Sequence, residues 1–113
     1  MQQPKVVSEA YVVLCTAPDN ATAQQIAEYV VNKQLAACVN ILPQVQSVYR
    51  WQNEVQSDTE WLLVIKTSAA GYSKLEQAIA AQHPYDVPEI IALPISNGLP
   101  AYLSWLQASV KHQ

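Results

Sequence analysis

Two cysteines and two histidines are the side chains of this 113-residue chain best suited to a soft or borderline metal ion. Cys15 ends the apolar run Ala10-Tyr11-Val12-Val13-Leu14-Cys15, just ahead of a helix start. A thiolate there would suit Cu(I) or zinc, and a helix N-terminus lowers a thiol's pKa. The same residue also reads as a small hydrophobe of a central strand. Cys38 opens a second apolar run and reads as structural. His83 stands in His83-Pro84-Tyr85-Asp86-Val87-Pro88, a loop stiffened by two prolines. Imidazole suits copper and zinc, and an imidazole after a helix equally caps carbonyls. His112 lies in the tail and receives no ligand role. The cysteine spacing gives neither a CxxC pair nor a zinc-finger pattern.

Other chemistries find little support. No P-loop, dinucleotide glycine motif or nucleophile-base set is legible, and 2 glycines leave no phosphate-cradling loop. The reading is a binding protein, not an enzyme. Only 6 lysines and arginines are present, scattered through a chain of net charge −3 and pI about 5.1. That lacks the basic footprint a nucleic-acid partner needs. No apolar run approaches the roughly 18 residues of a membrane helix. Met1-Gln2-Gln3-Pro4-Lys5 does not open a signal peptide. A cytoplasmic protein with reduced thiols is expected.

Half of the residues are hydrophobic and 13% are charged, enough apolar material for one packed domain over residues 1–113. Periodicity supplies its elements. Residues 6–16 read as a central strand, apolar on both faces. Pro18-Asp19-Asn20 stops it and starts a helix, with Asp19 or Asn20 as N-cap, or Thr22 and Gln25 as a capping box. Ala23, Ile26, Ala27, Val30 and Gln34/Leu35 mark its apolar face. Two strands follow, 37–51 and 55–67, around a tight turn at Gln52-Asn53-Glu54. Pro43 predicts a bulge or an edge position in the first, because it cannot donate to the ladder. A second helix spans 71–82, with Leu75, Ala78, Ile79 and Gln82 on one side. A short strand spans 89–95. Pro100 suits the first turn of a last helix bearing Leu99, Leu103, Leu106 and Val110. The order β-α-β-β-α-β-α is a ferredoxin-like split β-α-β sandwich of the α+β class, an antiparallel sheet with two helices on one face.

The hairpin is long for such a domain. About 14 residues at roughly 3.3 Å each span about 46 Å, against a diameter of roughly 35 Å for a compact chain of this size. Either it folds back over its own sheet, helped by Pro43, or its tip overhangs. An overhanging tip would bare Val48, Tyr49, Trp51, Val55 and two strand edges, which a second copy would cover.

Several blocks, in order, resemble the CutA divalent-cation-tolerance family. They are Cys15-Thr16-Ala17-Pro18-Asp19; Leu35-Ala36-Ala37-Cys38-Val39-Asn40; Tyr49-Arg50-Trp51; Glu60 with Ile65-Lys66-Thr67; His83-Pro84-Tyr85 with Val87-Pro88-Glu89-Ile90; and Tyr102-Leu103-Ser104-Trp105-Leu106. The resemblance runs from about Tyr11 to Val110. It implies a ferredoxin-like fold assembled as a homotrimer through the hairpin strands, similar in architecture to the PII signalling trimers. It also implies a link to divalent cations, copper above all, with Cys15, His83 and Glu89 as candidate ligands. Some relatives carry a second histidine where this chain has Gln82, one nitrogen ligand fewer. Lys66, Glu60, Tyr85 and Glu89 are the polar residues of these blocks. They would line a cleft between subunits that holds a small anion, metabolite or metal, or would pair across the interface. Lys66 lies in an apolar strand and would need a charged partner, Glu89 or Glu60, to be buried. Trp51, Tyr102 and Trp105 suit the same interface or a stacking contact.

Overall fold

The computed structural model describes residues 9–111. Seven elements follow the expected order: β1 (Ala10–Ala17), α1 (Asn20–Asn32), β2 (Cys38–Trp51), β3 (Glu54–Ser68), α2 (Tyr72–Gln82), β4 (Ile90–Pro94) and α3 (Pro100–Ser109). The four strands form one sheet in the order β2-β3-β1-β4, antiparallel throughout. This is the ferredoxin-like topology. Residues 6–8 of the expected first strand, and His112, lie outside the described residues.

Local chemistry sets the helix ends. Asp19 is the N-cap of α1, its Oδ1 accepting from the Thr22 amide at 2.7 Å. At the other end Gln34 takes φ 58°, and Leu35 N–H donates back to the Val30 carbonyl at 2.8 Å. That is a Schellman closure with glutamine at the left-handed position where glycine is usual. Pro100 opens α3, where its missing N–H costs nothing.

Alternation divides each strand between two faces. Val13, Cys15 and Ala17 of β1 and Leu63 and Ile65 of β3 face α1 and α2. They pack with Ile26, Val30, Leu75 and Ile79 into the buried core. Val12, Leu14, Asn40, Val64 and Lys66 belong to the other face. There α3 packs against β1 and β3, burying Leu106 apart from that core. Leu99, expected on the buried stripe of α3, is exposed, because it precedes the helix as its N-cap.

The hairpin overhangs. β1 pairs with β3 only from Ala10↔Ser68 to Ala17↔Trp61. Beyond that point, among the described residues, β2 and β3 pair only with each other, out to Trp51↔Glu54. The structure measures 52 × 36 × 23 Å, with a radius of gyration of 15.5 Å, against about 13 Å for a compact chain. Where the hairpin leaves the sheet, Pro43 and Gln44 bulge between Leu42↔Leu62 and Val45↔Glu60, with Gln44 at φ 56°. Pro43 thus sits both in a bulge and on an edge strand. At the tip, Gln52 (φ 50°) and Asn53 (φ 65°) form a two-residue turn whose positive φ values match the strand twist.

Candidate functional site

The sheet register gathers one group of candidates where β1 leaves the sheet. Cys15 lies between Leu63 and Ile90, and Glu89 immediately precedes Ile90. Cys15 is fully buried, and its Sγ–H points at the Thr16 carbonyl at 3.8 Å. The His83 ring reaches the same carbonyl, Nε2 to oxygen 2.8 Å. His83 Nδ1 accepts from the Tyr85 amide at 3.1 Å, so Nε2 carries the proton and donates to Thr16. One carbonyl oxygen therefore ties the thiol and the imidazole together. Tyr85 stacks at a tilt against the His83 ring, centroids 4.8 Å apart. Its hydroxyl donates to Glu60 Oε2 at 2.8 Å. Glu60 is buried, whereas Glu89 is exposed.

Burial disfavours the thiolate that a metal ion would need. Burial pushes the Cys15 thiol up to about 12, and the charges of Glu89 and Glu60 add to the rise. The expected lowering by a helix N-terminus does not occur. β1 continues past Cys15 to Ala17, α1 begins only at Asn20, and the Asp19 carboxylate already occupies a first-turn amide. Burial and the Glu60 hydrogen bond likewise raise the Tyr85 phenol. Among the described residues no three His, Cys, Asp or Glu side chains are arranged to hold a metal ion. Both nitrogens of His83 are engaged and the Cys15 thiol is protonated. The single chain therefore does not present Cys15, His83 and Glu89 as a formed metal site.

A second group lies at the opposite end of the sheet. Lys66 pairs in register with Val12 and Cys38, six residues from Glu60 along β3, which is about 20 Å. Neither Glu60 nor Glu89 is its partner within the chain. Its ammonium donates to Asn40 Oδ1, which also accepts from the Cys38 thiol at 3.9 Å. The Tyr102 phenol is raised by burial and by the neighbouring Cys38 thiol. The Tyr102 and Trp105 rings are 5.4 Å apart at a tilt and partly exposed. Trp51 is at the hairpin tip, remote from both groups. Sequence reasoning did not single out Asn40 or the Thr16 carbonyl. Asn40 was within reach, because alternation places it on the Lys66 face of the neighbouring strand.

No described helix is long and apolar enough to cross a membrane. The model of the CutA1 divalent ion tolerance protein family matches residues 11–109. The divalent-cation tolerance protein CutA of Thermus thermophilus is 51% identical over 96 residues, 85% of this chain and 93% of that protein. The protein CutA, chloroplastic, of Arabidopsis thaliana is 43% identical over 112 residues, 99% of this chain and 62% of that one. The crystal structure of CutA1 from Oryza sativa superposes with a TM-score of 0.91 at 42% identity, covering 94% of this chain and 97% of that one. The chain belongs to the CutA1 divalent ion tolerance protein family.

Proposed function

We propose that the chain acts in tolerance to divalent cations as a cytoplasmic homotrimer, with Cu(II) or another divalent cation as a weakly held ligand rather than a substrate for catalysis. The observation that carries this reading is the likeness, over 85% of the chain, to a relative named for divalent-cation tolerance. The overhanging hairpin supports assembly. Val48, Trp51 and Val55 are 66%, 60% and 68% exposed on strands whose outer edge is unpaired among the described residues, and a further copy would cover them. The closed Cys15–His83 pair supports weak binding. A cation would have to displace a proton from a thiol of pKa about 12 and one of the two hydrogen bonds of His83. Calorimetric titration with Cu(II), alongside light scattering, tests both halves. Saturable weak binding that is lost in a Cys15→Ala/His83→Ala double variant is the expected result. Binding unchanged in that variant, or absent altogether, sinks the site, and a monomer sinks the assembly.

A second reading is a PII-like signalling or scaffold trimer that binds a small anion or metabolite between subunits near Lys66, Tyr85 and Glu89. What favours it is Lys66, a half-buried ammonium whose partner is a neutral amide. A thermal-shift screen with nucleotides and carboxylates separates the readings. Stabilisation by a metabolite with indifference to copper selects this one.

A further inference from the structure

We propose that Lys66 and Asn40, next to Cys38, form a carboxylate-binding site on the sheet face away from α1 and α2. The proposal deepens the second reading above by naming the ligand class and the residues at its Lys66 end.

The first ground is charge. Lysine is seldom buried without a partner of opposite sign. Lys66 is half-buried on the inner strand β3, at the end of the sheet away from Glu60, and no carboxylate of the described residues pairs with it. Its hydrogen bond goes to Asn40 Oδ1. Of the acids on the same face of β3, Asp58 and Glu60 are held elsewhere and Glu54 lies at the hairpin tip. Asp58 accepts from Tyr49 and Glu60 accepts from Tyr85. Both lie on the far side of the sheet end, toward the hairpin.

The second ground is the orientation of the donors. Asn40 Oδ1 accepts from both Lys66 and Cys38, and its amide Nδ2 remains a donor. An ammonium keeps further protons after one hydrogen bond. Hydrogen-bond donors around one positive charge match a carboxylate, which only accepts. The surroundings suit an acid with an apolar body. Val12 and Leu93 continue the Lys66 row across the sheet, and α3, which carries the Tyr102–Trp105 ring pair, packs on this face. That apolar setting strengthens an ion pair relative to bulk water.

The carboxylate has two possible sources, a free organic acid or an acidic side chain of a second copy. Glu54 and Asp58, on the overhanging hairpin, would supply the latter. Benzoate is the probe, with benzyl alcohol as its uncharged counterpart. The full chain, Lys66→Met, Asn40→Asp and Glu54→Gln/Asp58→Asn are titrated by calorimetry and weighed by light scattering. The native chain is expected to bind benzoate saturably and benzyl alcohol not at all. Lys66→Met should weaken binding at least about tenfold, the worth of one charged hydrogen bond. Asn40→Asp, at an exposed position, should do the same by pairing the ammonium internally, and it serves if Lys66→Met fails to fold. Unchanged binding in Glu54→Gln/Asp58→Asn identifies a free acid as the source. If benzoate binds only to that double variant, and both it and Lys66→Met form a smaller assembly than native, the source is a second copy. The proposal is overturned if benzoate binding is absent or insensitive to Lys66 in every chain and Lys66→Met leaves the assembly unchanged. A monomer indifferent to copper would defeat the cation reading and leave the benzoate result standing.

Discussion

One strand serves two environments. From Trp61 to Lys66, β3 lies between β1 and β2, and Leu63, Ile65 and the following Thr67 are fully buried. From Glu54 to Thr59 the same strand has one neighbour, β2, and no buried residue. Composition already separates the halves, since Trp61-Leu62-Leu63-Val64-Ile65 is an apolar block and Val55 is the one apolar residue from Glu54 to Thr59. Coverage separates them further: helices reach the base of the hairpin and stop short of its tip. In physical terms the base stabilises the monomer, and the tip is surface that only another molecule could turn into core.

The largest effect that tests this contrast is a pair of truncations. Leu63→Ala at the base should cost about 3 kcal/mol, through lost transfer energy and the cavity left behind. Val55→Ala at the tip should cost less than about 0.5 kcal/mol in a single chain. Urea unfolding of both variants at two protein concentrations reads the difference. A tip variant that loses more than about 1 kcal/mol, with a midpoint that depends on concentration, would show that the tip is covered after all. That result would convert the contrast into an argument for assembly.

Thiol chemistry gives the next test. Cys15 lies within the base and its thiol is pushed up to about 12. At pH 8 it should alkylate on the order of a thousandfold more slowly than an ordinary thiol, from the smaller thiolate fraction alone. Mass spectrometry of a timed iodoacetamide reaction checks this. The same shift has a sign for stability. A thiol whose pKa is higher folded than unfolded favours the fold below about pH 9. That contribution is lost as pH rises from about 9 toward 12, so Cys15→Ala should flatten the alkaline limb of a stability profile in this window.

At the junction of base and tip, Glu60 is buried and receives the Tyr85 hydroxyl. Tyr85→Phe leaves that carboxylate without its donor and should cost about 1 to 2 kcal/mol. A cost near zero would show that Glu60 has another partner once the protein assembles. Chemical denaturation of Tyr85→Phe beside Glu60→Gln/Tyr85→Phe separates the alternatives, because the double variant removes the uncompensated charge.

The same division sorts what the sequence could tell. Short-range rules found the Asp19 cap, the Pro43 bulge and the turn after Trp51, since each depends on residues within four of one another. The long hairpin was readable as a length, 14 and 15 residues of strand with nothing to match it. The partners of the candidate residues were not readable, because the register of non-adjacent strands decides them. Lys66 was expected to meet a carboxylate and meets Asn40, 26 residues away. Cys15 was placed at a strand end near helix amides, where a thiolate would be favoured. It lies two residues earlier than the strand's end, beneath the helices, where burial disfavours that charge.

The smallest effect compares one backbone requirement in the two regions. Gln34 at the base and Gln52 at the tip both adopt left-handed φ, 58° and 50°. A Cβ is disfavoured there by about 1 kcal/mol, and glycine removes that strain while adding freedom to the unfolded chain. Gln34 closes α1, whose Val30 carbonyl also receives the Leu35 and Ala36 amides beside the core. Gln34→Gly should therefore raise global stability by about 0.5 kcal/mol. Relief at Gln52 reaches only a turn that can open without disturbing the base, so Gln52→Gly should leave the global midpoint unchanged and slow hydrogen exchange of the tip amides alone. Equal gains in global stability at the two positions would mean that tip and base unfold as one unit, which a free-standing hairpin cannot do and a covered one can.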